Sequence, residues 1–362
     1  MLSKPTLILD SDICKQNIAR MAEKADQNDM QFKPHMKTHQ CAEVGEWMKD
    51  CGVEAITVSS VKMAHYFAKN NWDKITIAMP AHPDQISTID DLAEEQAITL
   101  LVNHPKIARE IDKKLSHDIQ VFIEFDSGAH RTGLTIDQKA EIETLIKTLD
   151  SCTKLRWKGF YSHPGHSYDA HSSKQVKAIH QEVLKQCEKL RNAFEPTDRK
   201  IEICIGDTPC CSVGSEFKAI DAISPGNFVF YDLMQYQIGS CEISNIAVAM
   251  QCPIIDNYPE RSEIVIHGGA IHFSKETLLS EGISHYGMLA ETTNDGHHWK
   301  IKEPVSYLKK LSQEHGVIHC STTDQYNIGD RLTILPVHSC LSAHLMGQFR
   351  LNKQMNHYIN QM

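Results

Sequence analysis

Three basic side chains alternate in the segment PHMKTHQ, where His35, Lys37 and His39 lie two residues apart. If the preceding strand persists, a period of two directs all three to one side of it. A lysine held among other cationic groups has a lowered pKa, and its free amine can form an imine with an aldehyde. The alternative is an ordinary solvated surface lysine, because burying an unpaired ammonium is costly.

The pair His338 and Cys340 in RLTILPVHSC is a second candidate for chemistry. On an extended segment, a spacing of two places both side chains on the same face. Imidazole nitrogen and thiolate are donors that suit Zn²⁺. Catalytic zinc sites usually take three protein ligands, so the pair alone leaves a structural role open.

Two glycine turns, IGDTP with Gly206 and SPGN with Gly226, follow short apolar runs. Glycine allows backbone amides to approach an anion closely. Either turn alone is equally consistent with a simple change of chain direction. Together they suggest a phosphate site.

These candidate groups need a scaffold, and the sequence alternates strand-like and helix-like segments through residue 224. Segments with helical spacing, such as HPKIAREIDKKL, separate most of the strand-like runs. The alternation predicts parallel β/α units and favours a closed (β/α)8 TIM-type barrel over an open doubly wound sheet. The predicted strands cover residues 30–36, 53–58, 74–79, 97–102, 119–125, 155–161, 200–205 and about 221–224.

The unusual residues follow the carboxyl ends of these strands. Lys37 comes after the first strand, Asp126 to Arg131 after the fifth, and His163 after the sixth. The two glycine turns follow the seventh and eighth strands, where barrel phosphate sites typically lie. Barrel active sites are built at these carboxyl ends, so we expect one site there.

Beyond residue 235 the pattern changes to strand-like runs separated by turns, without comparable helices. We therefore expect a barrel domain at 1–235 and a second, mostly β domain at 236–362. Residues 1–20 are open to joining the β domain.

Composition restricts the partners. The formal charge of −9 over 362 residues offers no general attraction to nucleic acid or anionic membrane. No apolar run approaches the roughly 18 residues of a membrane span, and no signal peptide is evident. The twelve scattered cysteines are expected to be reduced thiols in a cytoplasmic protein. A small metabolite is the expected partner.

Seven motifs in chain order resemble those of the D-serine dehydratase/D-threonine aldolase-like family of pyridoxal 5′-phosphate (PLP) enzymes. The opening LILDSDICKQNIARMAEKA is similar as well, so the resemblance covers nearly the whole chain. It implies fold type III, the alanine racemase-like barrel with a β domain. The motifs are FKPHMKTHQ, EFDSGAHRTGL, GFYSHPGHSY, IGDTP, SPGNFVFYD, QEHG and IGDRLTILPVHSC.

The resemblance implies roles for individual residues, catalytic as well as cofactor-binding. Lys37 would bind PLP covalently, Arg131 would lie near its phenolic oxygen, and His163 and Tyr168 would flank the ring and the substrate. The phosphate would be held by Gly206, Thr208, Gly226 and Asn227.

The resemblance also implies a metal site at His338 and Cys340. Zinc is the expected ion, with Mn²⁺ or Mg²⁺ as alternatives. The corresponding pair is His and Cys in the dehydratases and resembles His and Asp in the aldolases, so Cys340 favours dehydration. Lys37 would then remove the Cα proton while the metal polarises the β-hydroxyl.

Two departures from related sequences bear on the reaction. Racemases of this fold carry an arginine where this chain has Ser224, which disfavours racemisation. The segment HGGAIHFSK, with His267 and His272, stands where close relatives have an Asp-Ala-Gly pattern, so these histidines either alter the pocket or only pack.

The expected function is dehydration of a small β-hydroxy D-amino acid to a 2-oxo acid and ammonia. The alternative is aldolase cleavage to glycine and an aldehyde. A racemase or a non-catalytic PLP carrier comes third. The resemblance further implies a homodimer, and it leaves the identity of the D-amino acid open.

Overall fold

The chain, represented by a computed structural model, is described over residues 3–196, 200–292, 299–351 and 355–358. It divides into two compact units. The barrel unit comprises Arg20–Lys37 and Ala42–Gly226, and the β unit comprises the chain up to Ala19, the segment Thr38–Cys41 and the chain from Asn227 onward. Neither unit is therefore one continuous stretch of sequence.

The barrel unit contains an eight-stranded parallel sheet in the order β2-β9-β8-β7-β6-β5-β4-β3. A parallel bridge between His35 and Thr57 joins the two ends of this order, which closes the sheet into a barrel. All eight predicted strands are present, so the predicted TIM-type barrel is confirmed. The strands are β2 (Gln31–Phe32), β3 (Ala55–Val58), β4 (Lys74–Pro80), β5 (Ala97–Leu101), β6 (Ile119–Glu124), β7 (Leu155–Ser162), β8 (Glu202–Ile205) and β9 (Ala222–Ile223).

Helices connect the barrel strands, as the helical spacing predicts. Local signals set their starts: Ser60 and Ser172 cap two of them, and Pro105 occupies the first position of another. In this part of the chain the helices are α1 (Ser11–Gln27), α2 (Ala42–Lys49), α3 (Val61–Ala68), α4 (Ile86–Ala93), α5 (Pro105–Asp112), α6 (Lys139–Asp150), α7 (Ser173–Phe194) and α8 (Thr208–Val213). Over the described residues, we find no helix with the length and apolarity that crossing a membrane requires.

The β unit is built on a ten-stranded, mainly antiparallel sheet. The long strand β10 pairs with β1 and β18 along its first half and with β11 along its second half, and the β10–β11 pairing shifts register between Ile254 and Asp256. The strands of this sheet are β1 (Thr6–Leu9), β10 (Val248–Tyr258), β11 (Glu263–His267), β14 (Gly287–Thr292), β15 (Trp299–Ile301), β16 (Tyr307–Leu311), β17 (His315–His319), β18 (Arg331–Pro336), β19 (Gln348–Leu351) and β20 (Met355–Tyr358). Strands β12 (Leu278–Ser280) and β13 (Ile283–His285) pair with each other in a separate two-stranded sheet.

Three short helices interrupt the β unit: α9 (Leu233–Ile238), α10 (Ala270–Phe273) and α11 (Ser339–Met346). The last of these corrects the sequence prediction, which treated the run to Cys340 as extended. Strand β18 ends at Pro336, His338 is the extended N-cap residue of α11, and Cys340 is helical. Ala343 and the other small, apolar residues of this stretch suit a buried helix as well as a strand.

The expectation that His35, Lys37 and His39 share one strand face is also wrong. Strand β2 ends at Phe32, and Lys37 lies in a turn. His39 belongs to the β unit, where burial lowers its pKa to about 3, so it contributes no positive charge beside the lysine. Pro34 explains the early end of the strand, since proline removes a backbone donor.

Asp221 joins the last elements of the barrel unit. Its carboxylate accepts hydrogen bonds from Arg191 (2.5 Å) and the Ile203 amide (2.9 Å), and it pairs with Lys200 at 2.7 Å. Although burial alone raises the pKa of Asp221, these contacts lower it overall. The carboxylate therefore stabilises the fold above its unfolded pKa of about 3.9, and this contribution is lost as the pH falls through the lower folded value.

We expect Asp221→Asn to destabilise the protein by about 1 to 3 kcal/mol at pH 7, because a charge-assisted network is lost. The difference from the unchanged protein should shrink as the pH falls below about 4. Urea unfolding at several pH values measures both effects. A stability difference that stays constant down to pH 3 would contradict this role.

Candidate active site

Lys37 lies in the turn that follows the first barrel strand, and its side chain is half-buried. Its backbone N–H donates to Nδ1 of His35 at 3.3 Å. Within the same unit, His163 follows β7, and burial together with the positive charges of Lys37 and Arg131 lowers the pKa of His163 to about 4. The structure therefore brings the predicted lysine, arginine and histidine into one electrostatic neighbourhood.

His163 is a neutral ring held in one tautomer. Its Nδ1–H donates to the carbonyl oxygen of Gly206, which leaves Nε2 without a proton. The ring of Tyr168 lies beside it, with centroids 6.1 Å apart and planes inclined by 39°. A neutral imidazole beside a phenol offers flat faces on which an aromatic cofactor ring can pack.

The turn at Gly206 is too crowded for a larger residue. A Cβ atom there would lie 2.5 Å from the Tyr161 hydroxyl and 3.0 Å from the Ser224 carbonyl oxygen. The neighbouring Thr208 is completely buried, and its N–H donates to the Tyr168 hydroxyl at 3.2 Å. Phosphate sites need such closely approaching backbone together with a buried hydroxyl. With Lys37 and His163, this donor set fits PLP.

Arg131 is the least enclosed of the predicted barrel residues, with its side chain 59% exposed. Its guanidinium lies 4.0 Å from Glu124, a buried carboxylate that accepts hydrogen bonds from Thr132 (2.7 Å) and Asn103 (3.0 Å). This polar support was not evident from sequence. Asn103 follows strand β5, so its place at the carboxyl end of a barrel strand could have marked it as a candidate site residue.

Ser224 stands where racemases of this fold have an arginine. Its hydroxyl donates to Thr57 Oγ1 at 2.7 Å, and the buried Tyr161 hydroxyl lies 3.5 Å away. These are uncharged groups inside the barrel unit. Gly226 is the last residue of that unit, whereas Asn227 is assigned to the β unit.

The predicted metal pair lies at the start of α11 in the β unit. Cys340 Sγ is 3.1 Å from the Thr38 hydroxyl and accepts a hydrogen bond from Asn227 Nδ2 at 3.4 Å. His338 Nδ1 donates to Glu276 Oε2 at 2.5 Å. Thr38 and Glu276 were both missed from sequence. Glu276 lies just beyond the HGGAIHFSK segment that already stood out.

Charge is concentrated at this pair. Burial by itself lowers the pKa of His338 and raises that of Cys340, but their mutual contact reverses both directions. With Glu276 contributing, the pKa of His338 rises to about 11, and the pKa of Cys340 falls. Imidazole nitrogen and cysteine sulfur bind Zn²⁺ once each has released its proton, so this donor set fits Zn²⁺.

Asp232 holds the backbone of the segment that carries His338 and Cys340. It is buried, and its carboxylate accepts hydrogen bonds from Ser339 N (2.9 Å), Asn227 Nδ2 (2.6 Å) and Gln235 N (3.0 Å). Ser339 lies between the two metal-ligand candidates, so one carboxylate fixes the segment that carries both.

We expect Asp232→Ala to destabilise the protein by about 2 to 4 kcal/mol, because it removes a helix cap and leaves buried donors unpaired. Asp232→Asn keeps one acceptor and should cost about half as much. Thermal unfolding in the presence of chelator measures this without a contribution from metal. Equal melting temperatures for Asp232→Ala and the unchanged protein would show that Asp232 does not stabilise this segment.

His267, His272 and Glu314 form a third polar cluster, whose nearest ligand-type atoms lie within 4.8 Å of one another. His272 Nδ1 accepts the Gly269 N–H at 3.0 Å, so the neutral ring carries its proton on Nε2. That ring then has no free lone pair for a metal. We interpret His272 as a helix cap at the corner between β11 and α10.

The two glycines of HGGAIHFSK, Gly268 and Gly269, form the same turn between β11 and α10. A Cβ on Gly269 would lie 2.2 Å from the Gln313 carbonyl oxygen, and one on Gly268 would lie 2.6 Å from Cys252 Sγ. Gly269 therefore requires glycine because it lies against the backbone of the turn at Gln313, whereas Gly268 is crowded by the side chains of Cys252 and Ile266. The unusual segment is explained by close packing.

Comparisons with known proteins agree with this arrangement. The family described as "Alanine racemase, N-terminal domain" matches residues 9–233. The chain belongs to this family. Residues 247–351 match a second family, described as "Putative serine dehydratase domain". The predicted membership among fold type III PLP enzymes is thereby confirmed.

Two characterised relatives align with nearly the whole chain of this family member. One is a D-serine dehydratase of Dictyostelium discoideum, 28% identical, covering 99% of this chain and 95% of the relative. The other is a D-threo-3-hydroxyaspartate dehydratase of Delftia sp. (strain HT23), 24% identical, covering 94% and 92% of the two chains.

Solved structures show the same fold. The Delftia enzyme superimposes with a TM-score of 0.89 at 23% identity, covering 97% of this chain and 94% of that one. Further structures of that enzyme carry alanine in place of a histidine and, two positions along, of a cysteine. The cysteine variant is described as metal-free and superimposes with a TM-score of 0.91 at 22% identity, over 99% and 97% of the two chains.

Proposed function

We propose that this protein is a PLP-dependent, metal-assisted lyase that dehydrates a small β-hydroxy D-amino acid to a 2-oxo acid and ammonia. The observation that carries the proposal is the position of His338 and Cys340 at the start of α11, where Glu276 holds the imidazole and the Thr38 hydroxyl contacts the thiol. The matched dehydratases, one of which has a metal-free form after replacement of a cysteine, support the same assignment.

Chain connectivity supports a joint role for the lysine and the metal pair. Lys37 is the last residue of its barrel segment, and the next residue, Thr38, is the one whose hydroxyl contacts Cys340 Sγ at 3.1 Å. Lys37 and a residue that contacts the predicted metal ligand are therefore consecutive in the chain.

The chain's own residues divide the remaining work. Lys37 is the base that takes the Cα proton, and His163 and Tyr168 flank the reacting amino acid. Thr208 with the Gly206 turn anchors a phosphate. When bound, PLP withdraws electrons from Cα, and a divalent metal held by His338 and Cys340 acts as a Lewis acid toward the hydroxyl.

His163 supports this assignment by being uncharged. Burial and the positive charge of Lys37 lower its pKa to about 4. With that pKa the ring holds no second proton near neutral pH and is only a weak base. The neutral ring leaves Lys37 as the group that exchanges the proton.

Two residues favour dehydration over its alternatives. Cys340 is the soft ligand that suits zinc, whereas the aldolases of the family resemble a His and Asp pair. Ser224, with only uncharged hydroxyl partners, replaces the racemase arginine.

Product analysis tests the proposal. The purified, PLP-loaded protein is incubated with D-serine, D-threonine or D-threo-3-hydroxyaspartate, with and without chelator. We expect 2-oxo acid and ammonia in equal amounts, and loss of turnover on metal removal that zinc restores. Glycine and an aldehyde would instead establish the aldolase reaction, and formation of the L-enantiomer would establish racemisation.

The cellular location and the oligomeric state belong to the same proposal. All twelve cysteines are free thiols, which supports a reducing, cytoplasmic compartment. A homodimer remains a prediction, supported by exposed apolar side chains in the β unit at Leu279 (63% exposed), Val305 (45%) and Ile283 (41%). Light scattering of the eluting protein measures its mass.

A further inference from the structure

Glu276 makes a close contact with the predicted metal ligand His338. Its Oε2 accepts the Nδ1–H of His338 at 2.5 Å. This hydrogen bond uses one of the two ring nitrogens and leaves the other, Nε2, as the ring atom that could bind a metal ion. Metal-binding histidines commonly donate their second N–H to a carboxylate, which fixes the tautomer and the ring orientation.

The local backbone places Glu276 for this contact. Helix α10 ends at Phe273, and its C-cap residue Ser274, a non-glycine residue with φ of 71°, turns the chain sharply. Ser274 Oγ then accepts the Glu276 N–H at 3.2 Å. A strained backbone followed by a local hydrogen bond indicates that the direction of residue 276 is specifically determined.

The two partners are also tied together through their helices. Ser342 of α11 donates to the carbonyl oxygen of Phe273, the last residue of α10, at 3.3 Å. Phe273 is buried. Glu276 lies three residues beyond Phe273, and His338 is the N-cap residue of α11. The hydrogen bond between the two helices therefore helps to keep Glu276 and His338 close together.

We propose that Glu276 is a positioning residue that orients His338 for metal binding through its acceptor oxygen. The inference rests on the proposed function for the presence of the metal, and it concerns affinity for the ion rather than the chemical step. In this proposal Glu276 is not a ligand of the ion and would act through the imidazole.

Metal affinity tests this directly. The full-length, PLP-loaded protein is freed of metal with chelator, and Co²⁺ is titrated in the presence of a competing chelator. Binding is followed by the thiolate-to-cobalt absorption that Cys340 would produce. We expect Glu276→Ala to weaken Co²⁺ binding about 10- to 100-fold. Glu276→Gln retains an acceptor oxygen and should stay within about threefold of the unchanged protein.

Thr277→Ala is the matched control, because Thr277 is an exposed neighbour on the same loop. It should bind Co²⁺ like the unchanged protein. If Glu276→Ala fails to fold by circular dichroism, Glu276→Leu replaces it, since leucine keeps side-chain bulk without an acceptor.

Three results would overturn the inference: unchanged affinity in Glu276→Ala, an equal loss in Glu276→Gln, or an equal loss in Thr277→Ala. Because no substrate is present, the measurement is independent of the proposed reaction. A protein that binds Co²⁺ through Glu276-oriented His338 but dehydrates no D-amino acid would refute the proposed function alone.

Discussion

Replacing Lys37 by alanine is expected to lower turnover at least about 10³-fold, since it removes both the covalent attachment of the cofactor and the base. The protein should also lose the visible absorbance of lysine-bound PLP, which borohydride abolishes in the unchanged protein. The neighbouring His163 adds a second readout. The positive charge of Lys37 helps to lower its pKa, so the His163 ring should titrate at a higher pH in the variant.

Lys106→Ala is a suitable control, because Lys106 is exposed on α5. It should leave the absorbance and the turnover unchanged. A Lys37→Ala protein that retains a borohydride-sensitive absorbance would mean that another lysine binds the cofactor. The assignment of the barrel turn as the active site would then fail.

Replacing Cys340 by alanine is expected to remove bound zinc and to lower turnover about 10²- to 10³-fold, because a Lewis acid contributes several kcal/mol to such a step. His338→Ala should have the same effect. The PLP absorbance should persist in both variants, since Lys37 is unchanged. Elemental analysis together with turnover at saturating zinc measures the two effects.

Cys340→Asp tests whether residue 340 determines which metal is bound, because aspartate can still act as a ligand. A carboxylate is a harder ligand than a thiolate, so we expect the variant to prefer Mn²⁺ or Mg²⁺ over zinc. Cys241→Ala, at a half-exposed cysteine elsewhere in the β unit, serves as the control for thiol loss. Full activity of Cys340→Ala after exhaustive chelation would contradict a catalytic metal.

The barrel could be predicted from sequence because each strand is a short β-branched run followed by a helix of regular spacing. Periodicity also placed Lys37 and His163 after their strands, and barrel geometry directs those ends to one site. The spacing of His338 and Cys340 marked them as a candidate pair, and the family resemblance then implied a metal site there. The order of barrel strands and the candidate residues at their ends thus followed from patterns only a few residues long.

The rest depended on contacts between residues distant in sequence. The contact between Glu276 and His338 depends on the packing of α10 against α11, which a hydrogen bond joins. No pattern within a short stretch of sequence predicts that packing. The helix at Ser339–Met346 was missed because small, apolar residues suit either state, and packing decides between them. The early end of β2 at Phe32 could have been predicted from Pro34, but the predicted strand was based on periodicity alone and continued to residue 36.

Strand β1 has a consequence for how the protein is made. Its residues Thr6–Leu9 are synthesised long before their partners, because Ile8 pairs with Ala249 on one side and with Arg350 on the other. An apolar strand with two unsatisfied edges must therefore wait until residue 350 has been synthesised, a situation that favours aggregation. We expect nascent chains of this protein to require chaperone protection of strand β1, and fragments ending near residue 235 to be insoluble.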